Sequence, residues 1–180
     1  MGLPSAQQKV HVVEAGVDPA EEIYEFLVDQ TAGSTNEAVG DYSVTPERFI
    51  YDPGDRRVHI YRMIVLIEDT GSFDSGRYGN NIVLTNGIHV NVRDGSDNIV
   101  QDLDGGVPVI TNSHWAGLCH DLTLFSFGAG NNVATVRWTF SRGGVPLFLD
   151  GTKGHYLSVE LNDNFSGLEA HRFMAQGVKR

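Results

Sequence analysis

The stretch Ile88-His89-Val90-Asn91-Val92-Arg93-Asp94-Gly95-Ser96-Asp97-Asn98-Ile99-Val100-Gln101-Asp102-Leu103 decides the fold. Ile88, Val90 and Val92 alternate with His89, Asn91 and Arg93, which is the two-residue period of a strand with one face against a core. Asp94 to Asn98 is turn chemistry, and a second strand runs from Ile99 to Leu103. Two such runs joined by a short polar break make an antiparallel hairpin.

The same unit recurs from Phe49 to Gln176. Runs of Val, Ile, Leu and aromatics are broken at Pro53-Gly54, Asn86-Gly87, Asp104-Gly105 and Asp150-Gly151. The gaps between runs are too short for the crossover helices of a parallel sheet. The expected fold class is all-β: an antiparallel β-sandwich, jelly-roll-like, of roughly eight to ten strands, with an extended N-terminal arm.

Arg57 to Asp69 is the longest run. Val58 and Ile60 alternate with Arg57, His59 and Tyr61, whereas every residue from Met63 to Ile67 is apolar, which predicts cover on both faces. Val133 to Ser141 places Ala134, Val136, Trp138 and Phe140 on its core face, and His155 to Leu161 buries Leu157, Val159 and Leu161. Shorter strands are expected at Phe49–Tyr51, Ile82–Leu84, Leu122–Phe127 and Val145–Leu149, and a closing strand at Ala170–Gly177. A short helix is expected around Ser113 to Leu118.

The N-terminal part divides differently. Met1 to Gln8 is small and polar and reads as an arm. Lys9 to Glu14 reads as a first strand, and Gly16 to Pro19 as a turn. Ala20 to Gln30 fits two readings. Helical spacing gathers Ile23, Phe26 and Leu27; strand spacing gathers Tyr24, Phe26 and Val28. The strand is preferred because the rest of the chain is β. The expected division is an arm over residues 1–30 with one or two strands, and a sandwich over 31–180.

Composition narrows the function. The chain has 180 residues, 41% of them hydrophobic, which suffices for one domain with its own core. Its net charge of −10 argues against free nucleic acid, whose phosphates need a basic stripe. Cys119 is the one cysteine, so no intrachain disulfide forms; it reads as an inert half-buried thiol. No signal peptide shows at the N-terminus, and no apolar run approaches the roughly 20 residues of a membrane helix.

No reactive constellation stands out. The seven histidines include no His-x-His pair of the kind a cupin-type metal site uses. His114, Cys119 and His120 lack a fourth zinc ligand. Asp94, Asp97, Asp102 and Asp104 do not have calcium-loop spacing, and hairpin aspartates serve the turn itself. No nucleophile elbow, phosphate loop or dinucleotide fingerprint is present. The expectation is no enzyme, no cofactor and no metal. Candidate interaction residues are Val10 and Val12 in the arm and the loop aromatics Phe73, Tyr78 and Trp115.

Gly33-Ser-Thr-Asn36, the Arg62-centred strand, Leu84-Thr-Asn-Gly-Ile88, Asp104-Gly-Gly-Val-Pro-Val-Ile-Thr-Asn112, Val136-Arg-Trp-Thr-Phe-Ser141 and Phe173-Met-Ala-Gln-Gly177 carry a resemblance over most of the chain. From Gly33 to Gly177 it resembles tailed-bacteriophage virion structural proteins. That resemblance implies a non-enzymatic particle component located in the virion. The type implied is a jelly-roll capsid decoration (cement) protein; neck, collar and tail-appendage roles are also implied. Its partners would be the major capsid protein or other virion proteins, and it would be a homo-oligomer, a trimer by analogy. No catalytic residue comes with it. A glycan- or receptor-binding module, with Phe73, Tyr78 and Trp115 stacking on sugars, is the competing expectation.

Overall fold

The structure, a computed structural model, describes residues 21–31, 33, 35–70, 78, 84–103, 119–126, 132–139 and 146–179, with side chains at all of these except 119–126 and 132–139. The expected arm at 1–8, strand at 9–14, helix at 113–118 and strand at 82–84, apart from Leu84, lie outside the described residues. So do the candidate residues Val10, Val12, Phe73 and Trp115.

The described chain is all-β, in two antiparallel sheets that share one core. The larger sheet contains β1 (Glu21–Phe26), β4 (Arg57–Asp69), β7 (Cys119–Ser126), β8 (Asn132–Thr139), β9 (Leu147–Asp150) and β11 (Ala170–Lys179). Its order is β1-β11-β4-β8-β7, with β9 also paired to β4. The smaller sheet contains β2 (Val28–Asp29), β3 (Glu47–Tyr51), β5 (Ile88–Arg93), β6 (Ile99–Asp102) and β10 (Tyr156–Leu161), in the order β2-β3-β10-β5-β6.

The predicted alternation is present at both sheet centres. Ile88, Val90 and Val92 of β5 and Leu157, Val159 and Leu161 of β10 are buried. They face Val58, Ile60, Met63, Val65 and Ile67 of β4, and Phe49 of β3 and Phe173 of β11 approach across the core at 6.4 Å. The backbone register sets Ala134, Val136 and Trp138 opposite Ile67, Val65 and Met63.

The strand reading of the Ala20 to Gln30 segment holds over its described residues, in two strands rather than one. β1 pairs with β11 and β2 with β3, so residues 21–29 form an edge of each sheet. Ile23 and Leu27 are buried in the common core. Two strands this short bury little alone, and the chain therefore crosses from one sheet to the other between them.

β4 contains a parity slip. Arg62 pairs with Gln176 and Ile60 with Gly177, which leaves Tyr61 without a partner in the β11 ladder. Core-facing residues run Val58, Ile60, then Met63, Val65, Ile67, with Tyr61 and Arg62 both outside. This is a β-bulge, and it bends the sheet and increases its twist. Gly177 is packed against the bulge so closely that a Cβ there would collide with the His59 carbonyl. Gly177→Ala is therefore expected to destabilise the fold by roughly 1–3 kcal/mol through overpacking. Urea denaturation checks this; an unchanged midpoint would show that the backbone can relax there.

Candidate functional site

Among the described residues, the outer face of the larger sheet departs most from the usual pattern. An antiparallel sheet with one solvated face normally alternates apolar inside with polar outside. Here Phe26 of β1, Met174 of β11 and Ile64 of β4 stand side by side in register. Leu66 lies one step further along β4. Phe26 is 42% exposed, and Ile64, Leu66 and Met174 are partly exposed. The continuous apolar run Met63 to Ile67 is thus explained, but the expected cover on both faces is only half realised. The inward residues Met63, Val65 and Ile67 are fully buried, while Ile64 and Leu66 are partly exposed.

Aromatics border this stripe. Tyr24 is 54% exposed and Tyr61 45%. Gln176 donates its amide to the Tyr24 hydroxyl at 3.0 Å, and the two tyrosines, with Glu22 and Arg62, flank a cleft of about 310 Å³. Further along, Phe148 of β9 stands edge-on to His59 at 5.3 Å. Sequence reasoning missed Tyr24, Phe26 and Tyr61 as candidates because it looked for interaction residues in loops. Their signal was present: Tyr24 and Phe26 share the strand face opposite Ile23.

A second feature is at one end of the sandwich. The Asp163 carboxylate accepts the backbone N–H groups of Thr85, Asn86 and Gly87 at 2.7 to 3.2 Å. The Asn86 side-chain amide donates to the Asn162 carbonyl, and Tyr42 N–H to that of Asp163. Three loops are braced together in this way around an open groove of about 510 Å³ lined by Ser43, Val44, Pro46, Thr85, Asn86, His89 and Asn162.

A third feature is the outer face of the smaller sheet. Asp97, in the hairpin turn with φ of 66°, accepts bonds from Arg48 at 2.7 Å and from the Tyr156 hydroxyl at 2.7 Å. These bonds hold its carboxyl down at about 2. Arg48 also reaches Glu160 at 2.7 Å. Asp94 accepts Ser96 and Asn98 N–H groups, serving the turn as its position in the hairpin implies. Among the described residues no three His, Cys, Asp or Glu side chains converge as metal ligands.

Tyr78 is not the surface aromatic that its Gly-rich loop predicts. It is buried, with its ring against Phe165 and His171. His171 Nδ1–H donates to the Ala38 carbonyl at 3.0 Å, so Nε2 accepts the Tyr78 hydroxyl at 2.7 Å. The partners are 93 residues apart, and no local pattern marks them. Nearby, Glu37 accepts the His171 N–H and Arg172 Nε, both at 2.7 Å. These bonds seal the core where β11 begins.

Compared with known proteins, the chain matches no family model, no curated protein and no solved structure.

Burial pushes the His171 imidazole down from 6.5 to about 4 and the Tyr78 hydroxyl well above 10. The unfolded chain therefore takes up a proton at His171 below about 6.5, which the folded chain refuses until about 4. Stability from this group is complete above pH 6.5 and is lost as pH falls toward 4, by roughly 3 kcal/mol in all. Urea midpoints between pH 7 and pH 4 should fall more steeply in the parent chain than in His171→Phe. Equal slopes would exclude His171 as the source.

Proposed function

We propose that this chain is a non-enzymatic structural protein of a phage particle, with a jelly-roll-like fold, that decorates and stabilises the capsid through oligomeric contacts with capsid subunits. The observation that carries this reading is the stripe of exposed Phe26 and partly exposed Met174, Ile64 and Leu66, bordered by Tyr24 and Tyr61. Contiguous apolar surface on a folded chain marks a protein contact, and aromatic residues and methionine are enriched in such contacts. The sequence resemblance to virion proteins supplies the kind of assembly.

The electrostatics support the same reading. Among the described residues, His171 and Tyr78 are displaced by burial and bond each other inside the core, while Asp97 is held down by its bonds to Arg48 and Tyr156. Displaced groups of a catalytic site would face a cleft. The net charge of −10 suits a partner surface with basic patches better than nucleic acid.

The mechanism is mass action. A subunit that bridges neighbouring capsid subunits binds the assembled shell and not its separated parts, so binding stabilises the shell. Purified particles of the phage that encodes the chain should contain it in hundreds of copies over the shell, by quantitative mass spectrometry and particle imaging. A dozen copies at one vertex would favour the neck or tail role, and absence from particles would refute a structural role.

The competing reading, a glycan- or receptor-binding module, draws on the braced groove around Asn86 and Asn162, whose lining of hydroxyl, amide and imidazole groups suits a polyhydroxylated ligand. A glycan array probed with the full chain should show no hits if decoration is its role; binding abolished by Asn86→Ala would favour the module.

A further inference from the structure

We propose that the outer face of the larger sheet is a two-fold contact between copies of this chain, held by reciprocal Glu22–Arg62 ion pairs around Tyr24 and Tyr61. This inference rests on the reading of the chain as an assembly subunit and names the partner of its apolar face.

Charge is the first argument. Glu22 and Arg62 lie on opposite sides of the Tyr24–Tyr61 cleft, with β11 running between their strands. Among the described residues neither has an ion-pair partner. The Lys and Arg side chains of the intervening β11 are satisfied: Lys179 lies 3.3 Å from Glu21, and Arg172 lies 2.6 Å from Glu37. Among the described residues the patch has one free anion and one free cation, and such a patch is complementary to itself after a half-turn. The anion of each copy then meets the cation of the other, which is the isologous geometry of a two-fold dimer. A partner of uniform charge would satisfy one of the two and repel the other.

Packing is the second argument. The same half-turn lays two apolar stripes against each other and covers Phe26, Ile64, Leu66 and Met174. That supplies the missing cover on the outer side of the Met63–Ile67 run. Pairing of two β1 edges in one continuous sheet is the obvious alternative use of this strand. It would bring Glu21, Glu22 and Glu25 of both copies together, and like charges across an antiparallel pair are destabilising. The acidic edge therefore leaves the face as the favoured contact. A three-fold ring would need two different complementary patches, whereas this patch holds both charges, so the expected unit is a dimer and not the trimer implied by resemblance.

The test is a charge exchange read by analytical ultracentrifugation on the full chain. The parent should sediment as a dimer at micromolar concentration. Glu22→Arg and Arg62→Glu should each weaken the dimer at least about tenfold, and the double exchange should recover most of that loss. Tyr61→Ser, which leaves both charges, should weaken it as well. Glu22 is exposed and Arg62 partly so, so the variants should keep the parent's cooperative melting by circular dichroism. A monomeric parent, a trimer, or a double exchange no tighter than either single one would overturn the proposal. A chain found in particles but monomeric in solution would refute this contact and leave the structural role standing; a dimer absent from particles would do the reverse.

Discussion

The backbone of Arg57–Asp69 holds the larger sheet together. One edge is paired with β11 from Val58 to Glu68, except at Tyr61; the other is divided between β9, over Arg57–Ile60, and β8, over Arg62–Asp69. A strand of this length spans roughly 40 Å and must satisfy its N–H and C=O groups on both sides. Three partner strands do so, and their arrangement sets where β1 and β7 join as outer strands. The inward side chains of β4 form one wall of the core, and β10 and its neighbours form the other. Hydrophobic burial supplies most of the drive to fold, but it has no direction. The ladder on β4 is what turns burial into a particular topology.

The ends of the sandwich are fixed by a few polar side chains rather than by regular structure. Asp163 holds the 85–87 turn through backbone N–H groups, and Glu37 and His171 tie the 37–38 segment to the start of β11. Each is a buried or half-buried acceptor or donor whose partners lie far away in sequence. An unpaired polar group in such a place would be costly, so every one of these bonds also specifies a single loop position.

The legibility of the sequence follows the range of the interactions. Ile88 to Leu103 could be read because alternation and turn chemistry are local. So could Leu157, Val159 and Leu161. Nothing local in β1 and β2 names their partner strands, because pairing with β11 and with β3 joins residues far apart in sequence. Tyr78 was misplaced because glycines beside an aromatic suggest a surface loop, while its actual partner is His171. The run Met63 to Ile67 correctly announced two apolar faces. It had no means of saying whether this chain supplies cover to both, since that depends on what packs outside the sheet.

That run has a consequence for how the strand finds its place. A strand that is polar on one face resists a one-residue slip, because the slip would bury charges. In β4 a slip would turn Ile64 and Leu66 inward and Met63, Val65 and Ile67 outward, exchanging one set of hydrophobes for another. Within this run hydrophobicity therefore discriminates poorly between the two registers, and the flanking Arg57, His59 and Glu68, which the slip would bury, discriminate instead. The bulge adds to this, since Gly177 can approach the His59 carbonyl closely there and Tyr61 absorbs the extra residue. This irregular point works as an alignment key for the middle of the strand, where the side chains alone would fit in two ways.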